Sequence, residues 1–125
     1  MEEFETVRQD RTGFKRYFFD DSFDLYVLYD CQGGMITGFQ LVYDKKATPR
    51  AITWIKDKGF RHNKVNGLDS SYHNLTPLLV RDGVFDIQAI SDSFREHSKR
   101  IDEEISSLVY STLKHYDPRF DDQFI

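Results

Sequence analysis

The sequence predicts an α+β domain: an antiparallel β-meander of four to five strands followed by two C-terminal helices packed on one face. Apolar residues recur at every second position between residues 14 and 65, and at every third or fourth position after residue 86. The pattern lacks the strand-helix-strand alternation that is typical of a parallel sheet. The 125 residues fit a single domain, 1–125, divided into a strand-rich part 14–65, a loop and short strand 66–83, a helical part 86–117 and a tail 118–125.

Turn-forming residues separate the predicted strands. The stretch "FDLYVLY" alternates from Phe23 to Tyr29, and "MITGFQLVY" alternates from Thr37 to Tyr43. The two glycines of "DCQGG" between them allow a backbone reversal, so these strands should form a hairpin. A second hairpin is predicted where "RAITWIK" and "FRHNKV" flank "DKG". The stretch "LTPLLV" is expected to add a short strand, which Pro77 confines to an edge or an irregular start.

Two helices are predicted in the last third of the chain. Asp86 is a suitable N-cap for a helix that runs from about Ile87 to Lys99. Asp102 can cap a second helix, which Pro118 ends. The second helix has acidic residues in its first turn and basic residues in its last, and both signs match the helix dipole.

Composition excludes several classes of protein. Cys31 is the only cysteine, so no internal disulfide or multi-cysteine zinc site can form, and the four histidines lack metal-ligand spacing. Phosphate-binding glycine motifs are absent, and no apolar run has the length of a membrane span. We therefore expect no metal, no cofactor, no membrane partner and a cytoplasmic location. Cys31 itself is expected to be a small buried residue, with a reactive thiol as the less favoured interpretation.

Positive charge is concentrated in one hairpin. The charge balance is −4 over residues 1–43, +5 over residues 44–64 and −5 over residues 65–125, in a chain with a net charge of −4. The same hairpin holds Trp54, the only tryptophan, and His62. If "DKG" is a three-residue loop, Trp54 pairs with His62 and Ile52 with Lys64. The expected ligand-binding residues on that face are Arg50, Trp54, Lys56, His62 and Lys64.

The chain resembles a family of small uncharacterised bacterial single-domain proteins. The resemblance rests on "GFQLVYD", "AITW", "FRHNKV" and "TPLLVRDGVFD", and it covers the chain from about Phe23 to Tyr116. It implies a bacterial protein with no assigned activity, so it supplies no catalytic residue or cofactor.

The sequence favours a non-catalytic binding or interaction module that engages an anionic ligand or an acidic protein surface through the basic aromatic hairpin. A pI of about 5.5 disfavours nucleic acid as the partner. Protonation of His62 is expected to tighten binding as the pH falls from about 7.5 to 5.5. If instead Trp54 packs under the helices, the lysine heads remain in water and the stacking role is lost.

Two further hypotheses remain open. In the first, the chain is a small enzyme with a pocket that uses His62, His73 and Tyr72 as acid/base groups and Asp44 as an orienting carboxylate. In the second, the chain is a structural subunit of a homo-oligomer. A homodimer is also expected because two helices with narrow apolar stripes cover only part of a sheet so rich in aromatic residues.

Overall fold

The computed structural model describes residues 1–4, 13–65, 75–77 and 86–116. Its elements are β1 (Glu2–Phe4), β2 (Phe14–Phe19), β3 (Asp24–Tyr29), β4 (Ile36–Tyr43), β5 (Arg50–Ile55), β6 (Gly59–Val65), β7 (Leu75–Pro77), α1 (Ile87–His97) and α2 (Glu103–Lys114). The predicted α+β class, with an antiparallel sheet followed by two C-terminal helices, is confirmed. The predicted tail 118–125 and most of the loop 66–83 lie outside the described residues.

The sheet is an antiparallel meander with more strands than expected. Within the described residues, seven strands pair in chain order from β1 to β7, so the expected count of four to five is wrong. The two edge strands, β1 and β7, have three residues each. β7 is the short edge strand predicted at "LTPLLV", whereas β1 was not predicted. A three-residue strand is too short to show a clear period of two, so the pattern alone did not reveal β1.

The two helices cover one face of the sheet. Alternate residues of β2 to β6 point to this face and pack against apolar residues of α1 and α2. The buried core comprises Phe18, Phe23, Leu25, Val27, Phe39, Leu41, Tyr43, Ile52, Phe60, Phe94, Ile105, Val109, Leu113 and Tyr116. The strand faces predicted for Phe23–Tyr29 and Thr37–Tyr43 therefore follow the alternation in the sequence.

The two predicted helix caps differ in what they do. Asp86 accepts a hydrogen bond from the backbone amide of Ala89 (3.1 Å), as an N-cap does. Asp102 precedes α2 but makes no side-chain cap bond. Its carboxylate instead accepts a hydrogen bond from Arg16 of β2 (2.9 Å) and so ties the start of α2 to the sheet.

The register of the hairpin β5–β6 differs from the prediction by two residues. Trp54 lies opposite Phe60, and His62 lies opposite Ile52, so the expected pairing of Trp54 with His62 is wrong. The turn closes one position earlier, because the amide of Lys58 donates to the carbonyl of Ile55 (3.0 Å). A shift of two residues keeps every side chain on its predicted face.

The opposite face of the sheet carries a row of side chains that crosses six strands. Starting at β1, the row is Phe4, Tyr17, Tyr26, Gln40, Thr53 and Arg61. Its first half is aromatic and partly exposed, and its second half is polar and largely buried.

Among the described residues, no helix is long and apolar enough to cross a membrane.

Candidate functional site

The residues expected to bind a ligand lie at two ends of one hairpin. Arg50 begins β5, and Lys56 follows its end, so about 20 Å of extended strand separates them. Arg50 and Lys64 are direct cross-strand partners. The structure therefore brings Arg50, His62 and Lys64 together at the base of the hairpin and places Trp54 and Lys56 towards its tip.

Trp54 contributes to the core rather than to an open aromatic platform. Its ring is partly buried against the core and lies 5.7 Å from the ring of Phe39 at an angle of 34°. The side chain of Lys56 is exposed, and its backbone amide donates to Thr37 of β4 (2.8 Å). A base or ring therefore has no open face of Trp54 between flanking lysines on which to stack.

A hydrogen-bonded pair of side chains lies between the hairpin base and the core. The hydroxyl of Tyr43 lies 2.5 Å from Nε2 of His62, and the two rings are parallel, with centroids 5.9 Å apart. Arg50 is the cross-strand partner of Tyr43. Burial raises the pKa of Tyr43, so its hydroxyl stays protonated.

His62 is neutral at physiological pH because it is buried. The residue is 1% exposed, and burial lowers its pKa from 6.5 to about 4, with the nearby charge of Arg50 as the second cause. Titration of His62 therefore falls below the interval from pH 7.5 to 5.5 that the sequence suggested. In the folded protein His62 is hydrogen-bonded to Tyr43 and carries no charge with which to attract an anion.

The hairpin base opens into a cleft of about 550 Å³ between the β4–β5 connection and α1. Tyr43, Lys46 and Arg50 line one side of the cleft. Lys45 also lines it, but its ammonium group is held by the carboxylate of Asp24 (2.9 Å). Lys46 and Lys64 are exposed and form no ion pair within the described part of the chain. We call Tyr43, Lys46, Arg50 and Lys64 the hairpin-base site.

The residues of the alternative catalytic pocket are only partly described. Asp44 is exposed at the rim of the same cleft and has a left-handed backbone (φ 57°), while His62 is buried behind Tyr43. Tyr72 and His73 lie outside the described residues, so that pocket stays a prediction. No group of three or more His, Cys, Asp or Glu side chains within the described ranges is arranged to hold a metal ion.

Cys31 is exposed at the β3–β4 turn, so the expectation that it is buried is wrong. The neighbouring carboxylate of Asp30 raises the pKa of Cys31. The raised pKa disfavours the thiolate and with it nucleophilic reactivity.

Sequence reasoning missed two members of the site. Tyr43 was placed on a buried strand face, and it is the last residue of that strand, where the cleft opens. Lys46 was counted in the charge of the hairpin but not as a ligand-binding residue. The available signal was the run "YDKK" directly before the hairpin, which places a hydroxyl and two ammonium groups next to Arg50 once β4 and β5 are paired.

Comparisons with known proteins add no relative: no family model, curated protein or solved structure matches the chain.

Proposed function

We propose that the protein is a non-catalytic binding domain that receives an anionic group at the hairpin-base site. The proposal keeps the basic hairpin as the binding element and moves the contact from Trp54 and Lys56 to Arg50, Lys64 and Lys46.

One observation carries the proposal: two cations lie directly opposite each other on the same face of neighbouring strands. Arg50 and Lys64 form this cross-strand pair, and like charges in that arrangement destabilise a sheet. An anion placed between them gains charge-assisted hydrogen bonds from both side chains. Lys46, on the adjoining connection, is a further cation and lines the same cleft as Arg50.

The Tyr43–His62 pair borders the site as a buried, neutral surface. Tyr43 is the cross-strand partner of Arg50 and is hydrogen-bonded to His62, whose pKa is lowered to about 4 by burial and by the charge of Arg50. His62 therefore adds no charge at neutral pH, and Arg50, Lys64 and Lys46 supply the attraction for the anion.

Titration of the protein with inorganic phosphate, followed by backbone amide chemical shifts, tests the proposal. We expect shifts centred on Lys46, Arg50 and Lys64, and weaker binding at high salt because exposed charges are screened within about 10 Å at 0.1 M. Arg50→Gln and Lys64→Gln should each weaken binding roughly fivefold, which corresponds to about 1 kcal/mol per exposed charge contact.

The matched control is at the other end of the same hairpin. Lys56→Gln removes the same charge from an exposed position about 20 Å from the site along the strand and should leave phosphate binding unchanged. Equal losses from Lys56→Gln and Arg50→Gln would show that phosphate responds to net charge alone, and the proposed site would be wrong.

A further inference from the structure

We infer that the ligand is an extended acidic peptide segment, which lies along α1 and places a second acidic side chain at Arg100. This inference rests on the proposed function, because the first acidic side chain occupies the hairpin-base site.

A second cleft adjoins the first along α1. It has a volume of about 770 Å³ and shares Asp21, Lys45 and Lys46 with the cleft of the hairpin-base site. The first cleft is lined by the start of α1, including Ala89, and the second by its end, including His97. The two clefts together form one groove beside the helix, which we call the α1 groove.

Each end of the α1 groove has its own cation. Arg50 lies at one end and Arg100 at the other, while Lys46 lines both clefts. Arg100 is exposed and forms no ion pair with the residues that the structure describes. The adjacent Lys99, in contrast, is paired with Glu96 (3.0 Å) and lines neither cleft. Two separated cations match a ligand with two separated anionic groups.

The length of the groove sets the spacing of those groups. The eleven residues of α1 span about 16 Å at a rise of 1.5 Å each. An extended peptide advances about 3.3 Å per residue, so about five residues cover the same distance. Two acidic side chains separated by three residues therefore reach both ends.

The lining of the groove favours a peptide over a polyphosphate. The partly exposed side chain of Ile90 lines the groove, which is also lined by the acidic residues Glu2, Asp20, Asp21, Asp44 and Asp86. Carboxylates repel a chain of closely spaced phosphates along its whole length. A peptide with two separated acidic side chains carries its charge only at the two cations and passes the carboxylates with neutral residues.

His97 lies at the second end of the groove, together with Arg100. Its Nδ1 lies 2.7 Å from the carboxylate of Asp20, which also accepts hydrogen bonds from the amides of Ser22 and Phe23. A carboxylate is an acceptor, so Nδ1 donates, and the bond holds the imidazole ring at the wall of the groove.

The test compares three probes by isothermal titration calorimetry. The first is an acetylated, amidated peptide with the sequence Glu-Ala-Leu-Ala-Glu, the second is the same peptide with one glutamate replaced by glutamine, and the third is tripolyphosphate. We expect the two-glutamate peptide to bind roughly fivefold more tightly than the single-glutamate peptide, and more tightly than tripolyphosphate.

Variants at the two ends separate this inference from the proposed function. Arg100→Gln should lower the affinity of the two-glutamate peptide to that of the single-glutamate peptide and leave phosphate binding unchanged, and Lys99→Gln should change neither. Arg50→Gln should weaken every probe. If Arg50→Gln weakens binding and Arg100→Gln does not affect the two-glutamate peptide, the second subsite is wrong and the proposed function stands. Tighter binding of tripolyphosphate, or no peptide binding, overturns the peptide as the ligand, and no effect of Arg50→Gln on any probe overturns the proposed function.

Discussion

Burial decides the chemistry of His62. The sequence presents a histidine beside lysines, which suggests a surface group that titrates near neutral pH. In the folded protein the ring is enclosed between Tyr43 and Tyr116, and its pKa falls to about 4. A residue that looks like a pH-sensitive ligand is therefore a hydrogen-bonded part of the core.

The shifted pKa of His62 predicts acid sensitivity. Above pH 6.5 the ring is neutral in both the folded and the unfolded state, so the free energy of unfolding does not depend on it. Between pH 6.5 and about 4 the unfolded chain binds a proton that the folded protein excludes, so stability decreases as the pH falls. The full difference is on the order of 3 kcal/mol.

Urea denaturation from pH 7 to 4 measures this dependence, with His62→Phe as the comparison. The variant loses the bond to Tyr43 and should be less stable at pH 7. Its free energy of unfolding should nevertheless fall less steeply between pH 6.5 and 4. Parallel curves for the two proteins would show that other groups cause the acid sensitivity.

Asn63 is a buried amide whose polar atoms have no hydrogen-bond partner among the described residues. The side chain is 0% exposed, and within the described part of the chain neither Oδ1 nor Nδ2 is within bonding distance of a donor or acceptor. A buried polar group without a partner costs about 1–3 kcal/mol. Asn63→Leu replaces it with an apolar side chain of similar size and should raise the free energy of unfolding by about 1 kcal/mol or more.

Ser106 provides the matched comparison because it is equally buried but fully engaged. Its hydroxyl contacts Ser98 (2.6 Å) and accepts from Arg95 (2.8 Å), so Ser106→Ala should lower stability by about 1 kcal/mol. Both changes are measured by chemical denaturation at pH 7. Loss of stability in Asn63→Leu would mean that the amide makes a contribution that its contacts do not explain.

At the scale of secondary structure, the sequence predicts what depends on periodicity. The strand faces from Phe23 to Tyr43 and the start of α1 at Ile87 follow from side-chain alternation and from the N-cap Asp86. Both signals are local, because a buried face and a capped helix end are encoded in adjacent residues.

The register of β5–β6 was not predictable from the same signals. The segment "DKG" is compatible with two turns that close at different pairs of residues. The observed turn requires positive φ at Asp57 (67°) and at Gly59 (105°). An amide contact from Lys56 to Thr37 in β4 also holds the chain at this point, and that contact is not local in sequence. Because the site depends on which side chains meet across the hairpin, Arg50 and Lys64 were proposed individually but their pairing was not.

At the scale of the whole molecule, the two faces of the sheet have different surroundings. The helices cover the face that holds the core, whereas the opposite face at β1 to β3 presents partly exposed rings. We call Phe4, Tyr17, Phe19 and Tyr26 the aromatic ladder. The ring centroid of Tyr17 lies 4.7 Å from that of Tyr26 and 5.5 Å from that of Phe19, and both pairs are stacked. Phe4 is 46% exposed. A contiguous patch of this kind is typical of an interaction surface.

We propose that the aromatic ladder is the contact of a homodimer. A two-fold contact brings the same patch from both protomers together, so the apolar rings of one protomer meet those of the other. Light scattering at about 100 μM, above the dissociation constants of specific interfaces, should give twice the monomer mass of 14.8 kDa. The double variant Phe4→Glu, Phe19→Glu should give the monomer mass, because carboxylates then face each other across the contact.

Met35→Glu is the matched control. Met35 is 64% exposed, but it lies at the β3–β4 turn outside the ladder, so this variant should remain a dimer. A monomer mass for the unmodified protein would show that the rings are not covered by a second copy, and dissociation by Met35→Glu would place the contact at that turn.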